Sequence, residues 1–340
     1  MNWIRGRDVL SKINFESMIA SSNLRLEALR PCTKVDALIV DINNLLYRLS
    51  HVEGKNVERV VESVLSKIVM LSNWYGAEYV NTHIVWEGNS TENWRFKHFA
   101  GYKGARKNSG DPELRDCVRG VEKVLRGLFK ETKFQQWDPI DAEGDDGFST
   151  LAKGLTTKVG IYSTDRDLLQ LARNGKVVLI VPQRGASDIE MTETSVRKGF
   201  GLPPSKLLDI KALEGDVGDS IPGVPGIGKV RAVSLIQNFE SFELLMEICC
   251  ESSKLDRQDE ESLKSWTERL KGWSLTPKRL ELLREHKKQA EMSYVIGAIR
   301  DDVKMKKTLN SKTSKTRFFG KYPSLSSSRY LTGNTEFLNT

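Results

Sequence analysis

The sequence predicts an α/β protein in which a central, mostly parallel sheet flanked by helices is followed by a separate helical subdomain. Three observations carry this reading. Apolar runs typical of buried strands alternate with helix-period segments from Val35 to about residue 200. Acidic residues recur where those strands stop, and from Pro203 the pattern changes to helices joined by short glycine and proline turns.

In chain order, residues 1–34 precede the first clear strand and form an N-terminal extension, with Leu24, Leu26 and Leu29 as packing candidates for one or two amphipathic helices. VDALIVDI then reads as a strand, VERVVESVLSKIVMLSNWYG as a helix and YVNTHIVWE as the next strand. The segment GNSTENWRFKHFAGYKGARKNSGDPE is polar, basic and too long for a plain connection, which marks it as functional. A helix near Pro112 to Lys130, the strand TKFQQW, and the segments DAEGDDGFSTLAKGL, KVGIYSTDRDLLQLA and VVLIVP complete an α/β domain over residues 35–200. PPSKLLDIKALEG, VRAVSLIQNF and later helices form a helical subdomain over residues 201–300. Residues 301–340, beginning near KMKKTLNSKTSKTR, read as a basic and then serine-rich tail.

A chain of 340 residues with 39% hydrophobic content and seven Trp can bury a sizeable core. Its net charge of +7 favours a polyanionic partner such as nucleic acid. Cys32, Cys117, Cys249 and Cys250 include no C-x-x-C pair and the four histidines are scattered, so a zinc site and a disulfide framework are not expected. No apolar run reaches the roughly 18 residues of a membrane span, and the N-terminus lacks a signal-peptide core. A cytoplasmic or nucleoid-associated protein without membrane contact is expected, in the host cytoplasm if a phage encodes it.

The strand-end acids are the main chemical signal. Asp41 ends ALIVD, Glu87 ends HIVWE, Glu143, Asp145 and Asp146 open a helix, Asp165 and Asp167 follow GIYST, and Asp216 and Asp219 stand in DVGDS. Any one alone reads as a strand end or helix cap. Collected in one crevice they would repel unless cations lay between them, and Mg²⁺ or Mn²⁺ prefer such oxygen ligands. Two ions about 3.5–4 Å apart activate water and stabilise the leaving oxygen of a phosphodiester, so hydrolysis of nucleic acid is implied.

The loop GVPGIGK, Gly223 to Lys229, fits G-x-x-x-x-G-K, but the next residue is Val230, which lacks the hydroxyl a P-loop needs for magnesium. The better reading is a helix-hairpin-helix type turn. Gly223, Gly226 and Gly228 permit tight geometry, amides at the helix start face a DNA phosphate, and Lys229 and Arg231 add charge. A purely structural turn remains the alternative.

Taken together, LIVDINNLLYR, ENWRFKHFAGYKGARK, AEGDD, YSTDRDLLQL and GDVGDSIPGVPGIGKVRA resemble, in order, the motifs of the 5′ nuclease family: flap endonucleases, the 5′ to 3′ exonuclease domain of bacterial DNA polymerase I and phage 5′ nucleases. The resemblance implies a PIN-like 5′ nuclease fold with a helical arch at about 88–118 and an H3TH motif in the subdomain. It implies that Asp41, Glu87, Glu143, Asp145 and Asp146 form a first metal cluster and Asp165, Asp167, Asp216 and Asp219 a second, holding two or more Mg²⁺, with Mn²⁺ able to substitute and K⁺ a candidate ion at the hairpin turn. Arg48, Lys103 and Arg106 would act on the scissile phosphate, with Tyr102 at the base of the arch and in contact with DNA. Trp94, Phe96 and Phe99 are stacking candidates, or pack the arch onto the body. The second-strand acid is usually Asp in this family, and here it is Glu87.

The implied function is a monomeric, structure-specific nuclease acting on branched or nicked duplex DNA with a 5′ single-stranded flap, extending to RNA–DNA hybrids and an RNase H activity. The tail would dock a sliding clamp or single-strand-binding protein. The alternatives are a DNA-structure-binding protein without catalysis and a PIN-type RNase.

Overall fold

Residues 37–40 carry Ala, Leu, Ile and Val, and every one of them is buried, as befits a strand covered on both faces. The computed structural model describes residues 33–88, 92–104, 111–183, 187–251 and 275–310, together with Lys264 and Glu268. Strand β1 (Ala37–Asp41) lies at the centre of a seven-stranded sheet. Beside it run β2 (Thr82–Val85), β3 (Gln135–Pro139), β4 (Val159–Tyr162) and β5 (Val177–Val181), all parallel. Two antiparallel edge strands, β6 (Ile189–Met191) and β7 (Met305–Thr308), complete the order β6-β5-β4-β1-β2-β3-β7.

One face of the sheet is covered by α1 (Ile42–Val52), α2 (Val57–Tyr75) and, further along the chain, a long helix over Pro112–Phe129. Helix α2 forms where an apolar stripe, Val60, Val61, Val64, Leu65 and Ile68, recurs at helical spacing. Asn56 caps its first turn and Gly76, at φ 79°, ends it in the left-handed region. The short α3 (Trp94–His98) precedes that long helix, α4 (Pro112–Phe129), which Asp111 caps and Pro112 opens. The opposite face of the sheet is covered by α5 (Gly144–Gly154), through Phe148 and Ala152, and by α6 (Glu193–Phe200), through Val196.

A second core unites α7 (Leu207–Glu214), α8 (Lys229–Phe239), α9 (Phe242–Glu251), α10 (Pro277–Glu285) and α11 (Lys287–Gly297) around Leu213, Leu235, Ile236, Phe239 and Leu283. No helix among the described residues is long and apolar enough to cross a membrane.

Two expected boundaries shift. The arch expected to about residue 118 does not include Leu114, Cys117 and Val118, which enter the main core from α4. The span expected as a tail from residue 301 includes β7. Lys306 and Lys307 stand in β7, whose partners Asp138 and Trp137 on β3 would otherwise leave an open sheet edge. Residues 1–32 and 311–340 lie outside the described residues. Thr33 is tied down by an amide hydrogen bond of 2.8 Å to Glu190 Oε1.

Between α7 and α8 the chain doubles back. Asp216 and Ile221 exchange backbone hydrogen bonds of 2.8 Å in both directions, and Gly215 and Gly223 meet backbone to backbone. Gly223 has φ 61°, and a Cβ there would lie 2.4 Å from the Gly215 nitrogen. Gly223→Ala is therefore expected to lower the unfolding free energy by roughly 2–4 kcal/mol, from left-handed strain plus a backbone clash. Urea unfolding checks this, and a variant as stable as the parent would contradict the packing described.

Candidate metal centre

Asp41 is the last residue of β1 and also the N-cap of α1, so the backbone itself turns its carboxylate over the strand ends. Its Oδ1 accepts from the Asn44 amide at 3.0 Å and its Oδ2 from the Ser163 hydroxyl at 2.6 Å. Glu87 follows β2 by two residues, and Asp165 follows β4 by three. Glu143 and Asp145 stand at the N-cap and in the first turn of α5, where carboxylates suit the unpaired amides of a helix start. A cleft of about 500 Å³ is lined by all five of these acids, together with Lys103.

The crowding shows in their protonation. Burial lifts the Asp41 carboxyl to about 6 against the pull of its Ser163 and Asn44 hydrogen bonds, and the Asp165 charge adds to the rise. Desolvation and then the neighbouring Glu143 raise Glu87 to about 7. Glu87 presents accessible surface to the cleft, yet protein and other carboxylates crowd its remaining sides, and we attribute the rise to that crowding. Asp145 is raised well above the usual carboxylate range, by desolvation and then by Asp165 and Glu87. The nearest counter-charge is Lys103, whose Nζ donates to Glu143 Oε1 at 2.6 Å, and Arg95 Nη1 lies 3.6 Å from Glu143 Oε2. Lys103 holds a left-handed φ of 51°, and its amide donates to the Asp219 carbonyl at 2.8 Å.

A second group forms beside the first. Asp167, Asp216 and Asp219 each offer an oxygen, and these atoms lie within 4.8 Å of one another, a donor set suited to a hard divalent cation. Lys211, buried on α7, pairs with Asp167 and lies 3.1 Å from Asp216 Oδ2. Burial alone would lower its pKa, but the two aspartates overcome this and hold it above the usual lysine value. Sequence reasoning missed Lys211. The available signal was a lysine in the mostly apolar stretch LLDIKAL, whose one other charged residue is Asp209.

Several expected roles change. Asp165 lines the cleft with the first group and lies outside the Asp167–Asp216–Asp219 triad, although its charge also raises Asp167. Asp146 does not face the cleft as a free ligand. It is fully buried, and its two oxygens accept from Arg95, the Trp94 indole and the backbone amides of Glu143 and Arg300. Tyr102 is not exposed for contact with DNA bases. Its ring is buried with Phe96, Phe99, Ile221 and Ile296, and its hydroxyl donates to Glu143 Oε2 at 2.9 Å and reaches Asp219 Oδ2 at 3.4 Å. That phenol therefore links the two acidic groups. Phe96 and Phe99 pack the segment onto the body, and Trp94 has the Arg95 and Arg300 guanidinium carbons at 4.4 and 5.5 Å from its ring centroid.

Arg48 lines a neighbouring cavity of about 340 Å³ with Tyr162, Lys67 and Asp188, and is not among the residues lining the carboxylate cleft. Arg106 lies outside the described residues. At the glycine turn, Gly223 faces inward, its amide donating to Ser293 Oγ at 3.1 Å and its carbonyl accepting from Gln289 at 2.8 Å, so it offers no amide to a phosphate. Gly226, Gly228, Lys229 and Arg231 are exposed at the start of α8, with Lys229 Nζ 4.9 Å from the Phe200 ring centroid and Arg231 donating to the Gly226 carbonyl at 2.6 Å.

Residues 36–201 match the family model of the 5′-3′ exonuclease N-terminal resolvase-like domain, and residues 202–317 that of the 5′-3′ exonuclease C-terminal SAM fold. DNA polymerase I of Bacillus subtilis (strain 168) is 30% identical over 256 residues, which is 72% of this chain and 27% of that protein. A 5′-3′ exonuclease of Halalkalibacterium halodurans is 32% identical over 176 residues, 50% of this chain and 56% of that one. The chain thus spans about a quarter of the polymerase and about half of the exonuclease. In fold it is similar to the bacteriophage T5 D15 flap endonuclease, solved as a pseudo-enzyme-product complex with DNA and metal ions, with a TM-score of 0.59 at 22% identity over 76% of this chain and 88% of that chain.

The raised carboxyls have a thermodynamic consequence. Asp41 and Glu87 bind protons in the folded state at about 6 and 7, above the ordinary carboxyl values of 3.8 and 4.5, so the metal-free fold loses stability as pH rises from the ordinary values through the raised ones. In EDTA the melting temperature should be higher at pH 5.5 than at pH 8, and Asp145→Asn should raise it at pH 8 and narrow the difference. A flat profile, or a lower melting temperature for the variant at pH 8, would contradict the crowding described.

Proposed function

The chain belongs to the 5′-3′ exonuclease family, and on that premise we propose that it is a structure-specific, divalent-metal-dependent 5′ nuclease, hydrolysing phosphodiesters at 5′ flaps and at 5′ ends of duplex DNA. The observation that carries this reading is the convergence of Asp41, Glu87, Glu143, Asp145 and Asp165 on one cleft beside the Asp167–Asp216–Asp219 triad. Acids raised to about 6 and 7 are poorly suited to stand alone at neutral pH and well suited to cations.

On this reading the five cleft acids and the triad hold Mg²⁺, or Mn²⁺ in its place, and the bound ions supply a nucleophilic water at neutral pH together with charge stabilisation of the phosphate. Glu87 reaches that cleft with one methylene more than an aspartate would have. Lys103, held by Glu143, is the cation at hand to draw the scissile phosphate inward and balance charge developing on it. Tyr102, bonded to Glu143 and within reach of Asp219, keeps the two acidic groups in fixed relation. Arg106 retains its proposed phosphate contact from the sequence.

Some distance from the cleft, the unpaired amides at the start of α8, with Lys229 and Arg231, would hold a duplex phosphate without reading sequence. K⁺ at the same turn, action on RNA in hybrids, work as a monomer and a tail that docks replication partners belong to this proposal. So does a place in the cytoplasm or nucleoid.

The test is a 5′-flapped duplex offered beside single-stranded RNA, with magnesium and with EDTA. Magnesium-dependent cutting near the flap junction is expected, and binding without cutting would overturn the proposal in favour of a DNA-structure-binding role. Preferential cutting of the RNA would favour a PIN-type RNase. Lys103→Ala should slow single-turnover cleavage by about 10²-fold or more, in the range of losing one electrostatic donor to the transition state, with duplex affinity nearly unchanged. Lys229→Ala should do the reverse, weakening binding and reducing its salt dependence by about one phosphate contact. Equal effects of the two substitutions on both measurements would contradict this division.

A further inference from the structure

A buried polar cluster beside the cleft is centred on Arg95, which is 3% exposed. Its guanidinium makes four hydrogen bonds, and Nη1 also lies 3.6 Å from Glu143 Oε2. Nη1 and Nη2 donate to the two oxygens of Asp146 at 2.6 and 2.9 Å, Nε donates to the Ile296 carbonyl at 2.9 Å, and Nη2 also donates to the Ala298 carbonyl at 2.6 Å. Ile296 and Ala298 close the C-terminal end of α11, where carbonyls lack helical partners and carry the negative end of the helix dipole. Asp146 in turn accepts from the Glu143 amide at 3.2 Å and the Arg300 amide at 2.8 Å. One ion pair therefore joins three elements distant in sequence: α3, the first turn of α5 and the end of α11.

We propose that Arg95 and Asp146 are positioning residues that fix the first turn of α5, and with it the carboxylates of Glu143 and Asp145, and that Asp146 is not itself a metal ligand. The inference rests on the nuclease reading of the cleft. Asp146 accepts five hydrogen bonds from Arg95, Trp94, Glu143 and Arg300, and two carboxylate oxygens present about four lone-pair sites. No acceptor capacity is left for a cation. Glu143 and Asp145 flank this anchored residue in sequence, Glu143 pointing to Lys103 and Tyr102 and Asp145 lining the cleft. Such partners of metal-binding groups set orientation, and their loss commonly weakens metal affinity 10- to 100-fold without removing the site.

The experiment compares Asp146→Asn and Arg95→Lys with Asp145→Asn in the full chain. Lysine keeps the charge but cannot reproduce the planar fork. Three quantities are read: the number and affinity of Mn²⁺ ions bound without DNA, the melting temperature, and the single-turnover cleavage rate across magnesium concentration. Asp146→Asn and Arg95→Lys should keep the parent Mn²⁺ stoichiometry, weaken affinity about 10- to 100-fold, melt lower, and regain most of the rate at saturating magnesium. Asp145→Asn should lose bound Mn²⁺ and stay slow at every magnesium concentration.

An Asp146→Asn protein that loses one Mn²⁺ and melts like the parent would overturn the proposal, because Asp146 would then be a ligand. An Arg95→Lys protein that melts lower but keeps parent affinity and rate would also overturn it, leaving a purely structural pair. Should Asp146→Asn fail to fold, Arg95→Lys decides. Should the parent protein cut no flap, the nuclease reading fails while Mn²⁺ stoichiometry and affinity still decide the positioning role.

Discussion

Mutual repulsion among carboxylates at the strand ends is the constraint on which the rest of this molecule depends. A parallel sheet directs the ends of β1, β2 and β4 to one edge, and at or just beyond those ends the chain carries Asp41, Glu87 and Asp165. Glu143 and Asp145 arrive from the start of α5. Without cations the fold tolerates this set by several means at once: Lys103 against Glu143, Lys211 between Asp167 and Asp216, hydrogen bonds to Asp41, and proton uptake by Asp41 and Glu87. Each is a partial substitute for a divalent ion. A site stabilised in this way is held ready for cations by the surrounding protein.

The acidic groups are also tied to the remainder of the fold. Tyr102 lies between the sheet domain and the helical subdomain, its ring against Ile221 and Ile296 and its hydroxyl on Glu143. The Arg95–Asp146 pair adds a second tie, to the end of α11. The glycine turn is built on the Gly215–Gly223 backbone contact, which directs the start of α8 to the surface while Asp216 and Asp219 stay with the acids. On the proposed function, the acids and the start of α8, adjacent in sequence, would face different parts of one substrate.

Much of this was readable from local pattern. The alternating strands and helices, the acids at strand ends and the glycine turn all follow from short-range chemistry, and the sheet and the cleft have that form. What local pattern could not supply was direction. Asp146 sits among metal-type acids in sequence, yet its partners Arg95 and Arg300 lie 51 and 154 positions away, and only the folded chain brings them to it. Arg48 is one residue beyond Tyr47, and about 100° of helix rotation separates neighbours, enough to put Tyr47 on the cleft and Arg48 on the adjoining cavity. Tyr102 looked like an aromatic on a polar loop, but its burial depends on Ile221 and Ile296, far along the chain. Lys306 and Lys307 read as a charged tail because the edge of β3 that pairs them cannot be seen from their own neighbours.

The central claim, that cations relieve the carboxylate crowding of this cleft, is tested most directly by counting protons released when Mg²⁺ or Mn²⁺ binds. Calorimetric titration in buffers of different ionisation enthalpy gives that number. With Asp41 at about 6 and Glu87 at about 7, binding should release on the order of one proton at pH 6.5 and clearly less at pH 8.5. Metal binding with no proton release at either pH would contradict the account.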